Sequence, residues 1–344
     1  MRNIDGAIGE GGGQVLRTCL ALSIVTGQDF TIRNIRSSRK KPGLRPQHLN
    51  AVKIAAIISN ANVYGAQQGS TQLSFSPRSI QPGKFTCEIG TAGSTALVLQ
   101  TIYLPLSLLD QPSFITISGG THAPLSPSFD FINQHWLHYL KRIGFDIQME
   151  MVLAGFYPQG GGKIRGNIRP VKTIEPLNIP ERGSLRQIRG YSGVANLDRR
   201  IAERQRNQVI HRLGSQYPLN DIRISQLPSK FKGTTVCLIC EFEHSQSCYF
   251  SLGALGKPAE KVADEVCEKI EYFLSTNAVM DEYLADQLLL PLSFANGNSN
   301  FSTSKITNHL LTNAEIIRNF MNTDISIDGS AGNPGIIKIT PYNQ

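Results

Sequence analysis

The sequence predicts an α/β (α+β) fold built from a repeated unit, with one smaller α/β domain inserted into it. Three observations carry that reading. A helix–strand–turn–strand pattern recurs along the chain, residues 182–277 interrupt it, and glycine-rich turns stand directly ahead of helices. With 344 residues, 40% hydrophobic and 17% charged, the chain can bury a full core and is too apolar for a disordered polymer. No run approaches the ~18 apolar residues of a bilayer span. The amino terminus, Met1 to Gly6, enters glycine-rich sequence without the apolar stretch of a secretory signal, so a cytoplasmic protein is expected.

The first copy of the repeat covers residues 47–76, with Gln47 to Ile58 reading as a helix and Asn62-Val63-Tyr64 and Gln72 to Phe75 as strands. In the second, residues 129–164, Phe129, Ile132, Trp136, Leu140 and Ile143 keep the spacing of one buried helix face. Asp146 to Met149 and Lys163-Ile164 follow as strands around Gly160-Gly161-Gly162. The third copy covers 314–340. Residues 182–277 read instead as a β-α-β-β-α arrangement, with strand-like Leu185 to Gly190 and Thr234 to Phe242 and helix-like Asp198 to Leu213 and Ala259 to Leu274. Crossings fall around Pro176, Pro180 and Gly183 and at Ser275-Thr276-Asn277. The expected division is a large domain of residues 1–181 and 278–344 and an inserted domain of 182–277.

A net charge of +8, spread along the chain, points to an anionic partner that local clusters must bind. Gly9-Glu10-Gly11-Gly12-Gly13 ahead of a helix offers backbone N–H groups and a positive helix end to phosphate. Glu10 within it suits a divalent ion that bridges carboxylate and phosphate, and Gln14 and Arg17 share one helix face. The competing reading is a tight strand-to-helix turn. From Arg33 to Arg45 six basic residues occur with no acid, and Pro42-Gly43 and Pro46 make the segment a loop whose arginines can fork onto phosphate. Gly90 to Ser94, ahead of a helix carrying Gln100, and Gly119 to Pro124, leading to Pro127, repeat the small-residue turn. In Asp281 to Leu288, Tyr283, Asp286 and Gln287 share a helix face, which reads either as a polar face with one tyrosine or as a holder for a purine, while Leu284 and Leu288 point to the core. Cys237 and Cys240 have the spacing of half a zinc site but lie in an apolar strand, and are read as core residues.

Of seven histidines, His135 and His138 are expected on the solvated side of their helix, and His211 and His244 without partners. His48 and His122 accompany the phosphate-binding turns. His309 follows a strand expected at Ser299 to Thr303 and precedes a helix. A neutral imidazole can attack a phosphoryl centre without prior deprotonation.

Together these segments resemble the RNA 3′-terminal phosphate cyclase family. The matching residues are Gly9-Glu10-Gly11-Gly12-Gly13-Gln14 with Arg17, Pro42-Gly43-Leu44 with Gln47-His48-Leu49, Phe156-Tyr157-Pro158 with Gly160-Gly161-Gly162, Glu282-Tyr283-Leu284 with Asp286-Gln287-Leu288, and His309 with Thr312. They run in family order over nearly the whole chain. The resemblance implies repeated units like the carboxy-terminal domain of translation initiation factor 3, ATP and Mg2+ or Mn2+ as cofactors, RNA 3′-phosphate ends as the partner, and a homodimer. It implies that His309 takes AMP from ATP, that the adenylate passes to the RNA 3′-phosphate, and that the 2′-hydroxyl closes a 2′,3′-cyclic phosphate and expels AMP. By the same resemblance Glu10 contacts the metal, Arg17, Arg36, Arg39 and Gln47 bind phosphate and RNA beside Gln14, and Gln100, Pro127, Tyr283 and Asp286 form the nucleotide pocket with Gln287. One departure is Ala154, where the family often has a basic residue. Two other readings stay open: a non-catalytic relative acting in ribosome assembly, which would lack the histidine, and an enolpyruvyl transferase built on similar repeats.

Overall fold

Three of the four sheets in the computed structural model, which describes residues 1–341, repeat a single order of strands. The first unit comprises β1 (Arg2–Asp5), α1 (Gly13–Thr26), β2 (Phe30–Arg33), α2 (Pro46–Ser59), β3 (Asn62–Tyr64) and β4 (Leu73–Ser76). Its sheet order is β1-β2-β4-β3, with β1 and β2 parallel and the other pairs antiparallel. The second unit comprises β5 (Lys84–Glu88), α3 (Thr95–Ser107), β6 (Ser113–Gly119), a helix made of α4 (Phe129–Phe131), a π-helical segment (Ile132–Trp136) and α5 (Leu137–Arg142), then β7 (Ile147–Leu153) and β8 (Gly162–Ile168). The order is again first, second, fourth, third: β5-β6-β8-β7. The next strand, β9 (Asn178–Ile179), is followed by β10 (Leu185–Ala195), α6 (Arg199–Leu213), β11 (Leu219–Gln226), β12 (Gly233–Phe242), β13 (Gln246–Leu252) and α7 (Ala259–Ser275). The chain continues with α8 (Glu282–Leu292), β14 (Ser299–Thr303), α9 (Asn308–Phe320), β15 (Asp324–Asp328) and β16 (Gly335–Thr340). Strand β9 pairs in parallel with β14, across the whole of β10 to α7, and the sheet β9-β14-β16-β15 completes the third unit.

Apolar burial explains this assembly. The first helix of the first unit, α1, buries Val15, Leu16, Cys19, Leu20 and Ile24 and packs on α2, α3 and α9. One continuous core therefore joins the units, from Leu20 and Phe30 through Leu99 and Trp136 to Leu288 and Phe320. A second core, including Ile188, Val209, Leu238, Val266 and Phe273, lies under the sheet β11-β10-β12-β13. Pro46 opens α2 at a position where its missing N–H is of no consequence. Among the described residues no helix is long and apolar enough to cross a membrane.

The structure corrects the sequence reading at several points. Residues 185–275 form β-α-β-β-β-α, one strand more than expected, because β13 buries polar Gln246, Ser247 and Ser251 among its apolar residues and shows no apolar run. Such a strand lacks the alternation that marks a half-exposed one. Cys237 and Cys240, three residues apart on β12, face opposite sides of the sheet and join different cores. They cannot share a metal ion. His122 is fully buried, with Nδ1 2.8 Å from Thr121 Oγ1 and Nε2 2.9 Å from Asp130 Oδ2, so it is not free for phosphate.

His135 is not solvated but fully buried. Its helix is covered on a second side by the β12–β13 hairpin: Tyr139 Oη donates to Gln246 O at 3.0 Å, and Gln246 Nε2 lies 3.2 Å from His135 Nδ1. His135 Nε2 is 2.6 Å from Asp281 Oδ2, and Asp281 Oδ1 caps α8 by accepting from Tyr283 N and Leu284 N. Replacing His135 by alanine leaves Asp281 Oδ2 in the core without this partner, at an expected cost of about 3 kcal/mol. Urea denaturation checks this, with the exposed His138→Ala expected to change stability by less than about 0.5 kcal/mol.

Candidate active site

The site grows from two helix starts that meet. Gly9 (φ 60°) and Gly11 (φ 55°) turn the first loop through left-handed backbone, and Gly12 leads it into α1. On the other side Thr307 caps α9 by accepting from Leu310 N, which places His309 in the first turn of that helix. The loop lies directly on α9: a Cβ at Gly9 would stand 1.9 Å from Thr312 Oγ1, whose hydroxyl donates to Asn308 O. This close approach brings Glu10 Oε2 to 3.4 Å from His309 Nε2, and Arg39 reaches the same oxygen at 3.2 Å.

Gln14 links three of the expected groups. Its Nε2 donates to His309 O at 3.1 Å and to Asp286 Oδ2 at 3.2 Å, and its Oε1 contacts His309 Nδ1. With two acceptors facing the amide nitrogen, the oxygen must face the imidazole. Nδ1 then carries the proton and Nε2 keeps its lone pair. Burial holds His309 below the ordinary histidine range, with Arg17 and Arg39 acting in the same direction and Glu10 opposing them. The ring is neutral at pH 7.

Asp286 and Arg17 face the same cavity, partly reached by solvent but surrounded by protein. Burial pushes the Asp286 carboxyl up to about 7 against the pull of Arg17. It lowers the Arg17 guanidinium to about 10, which leaves a full positive charge at neutral pH. Burial also takes His48 down to about 3, reinforced by Arg17, Arg36 and Arg45. His48 is thus a neutral wedge between the basic loop and α1, with its ring in the space that a Cβ at Gly13 would occupy.

A cavity of about 700 Å³ opens beside His309. Gln14, Arg17, Asp286 and His309 line its polar part, and Gln100, Pro127, Tyr283 and Gln287 line the rest. Gln100 Nε2 contacts Gln287 Oε1, Gln287 Nε2 donates to Tyr283 O, and the Tyr283 ring is 42% exposed. Glu10 reaches this group through His309, and Arg39 through Glu10. Two expected phosphate residues are engaged elsewhere. Arg36 Nη1 donates to Lys41 O and Gly43 O, bracing its own loop, and Gln47 Oε1 accepts from Ser94 N. No acidic residue occurs between Asp29 and Glu88, so the whole basic loop stands in an acid-free stretch. Ala154 is fully buried, its N–H given to Pro228 O.

The sequence reading missed the part of the cavity wall that comes from residues 250–269. Phe250, Gly253, Ala254, Lys257 and Lys269 all face the space around Tyr283. The signal was present: Gly253-Ala254-Leu255-Gly256-Lys257 is another small-residue turn ahead of a helix. Among the described residues no three His, Cys, Asp or Glu side chains cluster as a preformed metal cage. A Mg2+ ion held mainly by nucleotide phosphates and water needs only one or two protein carboxylates, and Glu10 fits that use.

A family model described as RNA 3′-terminal phosphate cyclase matches residues 8–327. A protein of that name from Ectopseudomonas mendocina (strain ymp) is 42% identical over 323 residues, covering 94% of this chain and 93% of the relative. Another so named, from Koribacter versatilis (strain Ellin345), is 40% identical over 324 residues, covering 94% and 91%. A solved structure of EPSP synthase from Acinetobacter baumannii aligns over 99% of this chain and 64% of that one, at 10% identity and a TM-score of 0.28. With a family model matched over most of its length and relatives at about this level of identity, the chain belongs to the RNA 3′-terminal phosphate cyclase family.

Proposed function

We propose that this protein uses ATP to convert an RNA 3′-terminal phosphate into a 2′,3′-cyclic phosphate, with His309 as the group that carries AMP. The observation that carries the reading is the Gln14 bridge: one amide ties His309 to Asp286 and leaves Nε2 as the free nucleophile beside a cavity of nucleotide size. Nε2 attacks the α-phosphorus of ATP, the bond to the bridging oxygen breaks, and pyrophosphate leaves with the electron pair. Gln14 Oε1 then accepts from the Nδ1–H of a ring that has become cationic, and the Glu10 carboxylate faces the same charge. The adenylyl group passes to an oxygen of the RNA 3′-phosphate, which restores the neutral imidazole. Attack of the neighbouring 2′-hydroxyl on the 3′-phosphorus closes the ring, expels AMP and releases the hydroxyl proton. Arg17 and Arg39 offset the charge of the crowded phosphates. A divalent ion, held by Glu10 and the triphosphate, would supply further charge neutralisation. Tyr283 and Pro127 would enclose the adenine, with Gln100, Asp286 and Gln287 offering polar contacts to the nucleoside. Residues 182–277, in this reading, form an inserted domain that closes one wall of the nucleotide cavity.

Incubation with ATP, magnesium or manganese and an RNA ending in 3′-phosphate tests this. The expected result is an end that resists phosphatase and one AMP released per end. An end still open to phosphatase after prolonged incubation overturns the reading.

The Gly9–Thr312 contact gives a second test. Gly9→Ala adds a side chain in left-handed backbone, costing about 1 kcal/mol, and pushes on Thr312. Displacement of Glu10 from His309 is expected to slow transfer of AMP to the protein at least about tenfold. Adding Thr312→Ala clears the steric part only, so the double variant should recover some of the rate. Equal rates for wild type and Gly9→Ala would mean that the contact does not position Glu10.

A further inference from the structure

Away from the cavity, three loops that the mechanism does not use adjoin one another and the basic loop. Gly93 packs on Gln47, since a Cβ there would stand 3.0 Å from Gln47 Cβ, and Ser94 N donates to Gln47 Oε1. The neighbouring Ala92 backbone presses on Gly160, where an added Cβ would lie 2.8 Å from Ala92 Cα. At Gly161 the same construction meets the Phe231 ring at 2.7 Å. An unbroken surface therefore runs from Gln47, over residues 90–94 and 157–162, to residues 228–233.

That surface exposes two aromatic residues, Tyr157 (64%) and Phe231 (38%), and the exposed Lys230 and Lys232 stand on either side of Phe231 in the chain. The loop that presents them is braced. Asn196 Nδ2 donates to both Ser229 O and Phe231 O, and Ser229 Oγ donates to Ala154 O. No acidic residue occurs between Glu88 and Asp110, between Glu150 and Glu175, or between Asp221 and Glu241, so none of the three loops contributes a carboxylate. Exposed rings beside cations, in loops that carry no carboxylate of their own, make a surface that stacks unpaired bases and holds the phosphates between them.

We propose that this surface binds the nucleotides that precede the 3′-phosphate of the RNA, with Tyr157 and Phe231 as stacking faces and Lys230 and Lys232 as phosphate contacts. The proposal rests on the reading of RNA as the substrate. The length dependence is part of the proposal: the terminal phosphate sits at the basic loop and both rings stack nucleotides upstream of the last two, so a dinucleotide does not reach them while a longer single strand does.

Fluorescence anisotropy with 3′-phosphorylated RNA tests it, using a decamer and a dinucleotide, while AMP retained on the same preparations from labelled ATP reports the catalytic site separately. The variant Tyr157→Ala/Phe231→Leu keeps an apolar group over Gly161 and removes both rings. It is expected to weaken the decamer about tenfold or more per ring, leaving the dinucleotide and the AMP label unchanged. Lys230→Gln/Lys232→Gln should reduce the slope of log affinity against log salt by about 0.7 per lysine. Phe231→Trp should restore affinity when introduced in place of leucine. Decamer affinity equal to wild type in the ring variant, or the same loss for decamer and dinucleotide, overturns the proposal while a retained AMP label leaves the catalytic reading intact. Loss of decamer affinity in the variant together with no AMP label on the wild type would support the surface and overturn the histidine–adenylate reading instead.

Discussion

His309→Ala, incubated with α-labelled ATP and magnesium or manganese, is expected to retain no acid-labile AMP after denaturation, a loss on the order of 10⁴-fold or more relative to wild type. The size of the effect comes from losing the bond-forming atom itself. No neighbour can replace it, because the His48 ring is packed against Gly13 with Nδ1 accepting from Arg45 N, and His122 is sealed against Asp130. Gln14→Leu is the informative companion. It keeps the nucleophile but removes the acceptor that holds Nδ1–H, so the ring can turn or adopt the other tautomer. A decrease of about 10²- to 10⁴-fold is expected, by analogy with other imidazoles that lose their orienting partner. Label that persists undiminished in His309→Ala would place the covalent AMP on another residue.

Asp286→Asn should flatten the fall of stability between pH 4 and pH 7. Burial raises the folded-state carboxyl to about 7 from the ordinary 3.8, so the folded protein prefers the protonated form. A raised group of this kind contributes stability that is fully present below pH 3.8 and is lost as pH rises through about 7. In the nucleotide-free protein the loss is on the order of 4 kcal/mol across that interval. Asparagine keeps the hydrogen-bonding shape and cannot ionise. Urea unfolding of both proteins from pH 4 to pH 8 is the measurement, and the stability difference should grow in favour of Asp286→Asn as pH rises. Parallel curves would mean that Asp286 is solvated enough to ionise normally. Arg17 is the reason that the carboxyl is held near neutrality and not higher, so Arg17→Met should move the same transition to still higher pH.

Local pattern carried much of the fold. The 3.6-residue spacing of Phe129, Ile132, Trp136 and Leu140, the helix starts at Gly13, Thr95 and Glu282, and the Gly-containing strand turns are all short-range features that act within one or two turns of chain. For the same reason the recurrence of the unit could be read, and with it the interruption between β9 and α8. Strand β13 escaped because it buries Gln246, Ser247 and Ser251 and so shows neither alternation nor the apolar run that revealed β12. His135 escaped because its second cover, Gln246 and the hairpin around it, lies more than a hundred residues away in the chain.

The chemistry divides along the same line. A family resemblance, carried by residue types in order, pointed to His309 and Glu10, while the basic loop and the Tyr283–Gln287 face stood out as local patterns. What required the folded chain was which of them touch. The carboxylate of Glu10 beside His309, the Gln14 amide that orients the imidazole, the elevated Asp286 and the lysine-bearing wall from residues 250–269 all depend on segments that only the fold brings together, Gln14 and Asp286 being 272 residues apart and Gln14 and His309 295. Arg36 makes the point in reverse: its motif suggested phosphate, and the fold turned its guanidinium onto the carbonyls of its own loop. Propensity and spacing act over a few residues, whereas desolvation and hydrogen-bond pairing are set by whatever the tertiary fold places within a few ångströms. The repeat and the residue inventory were therefore legible from the chain, and the protonation states and partners of the site came only from its packing.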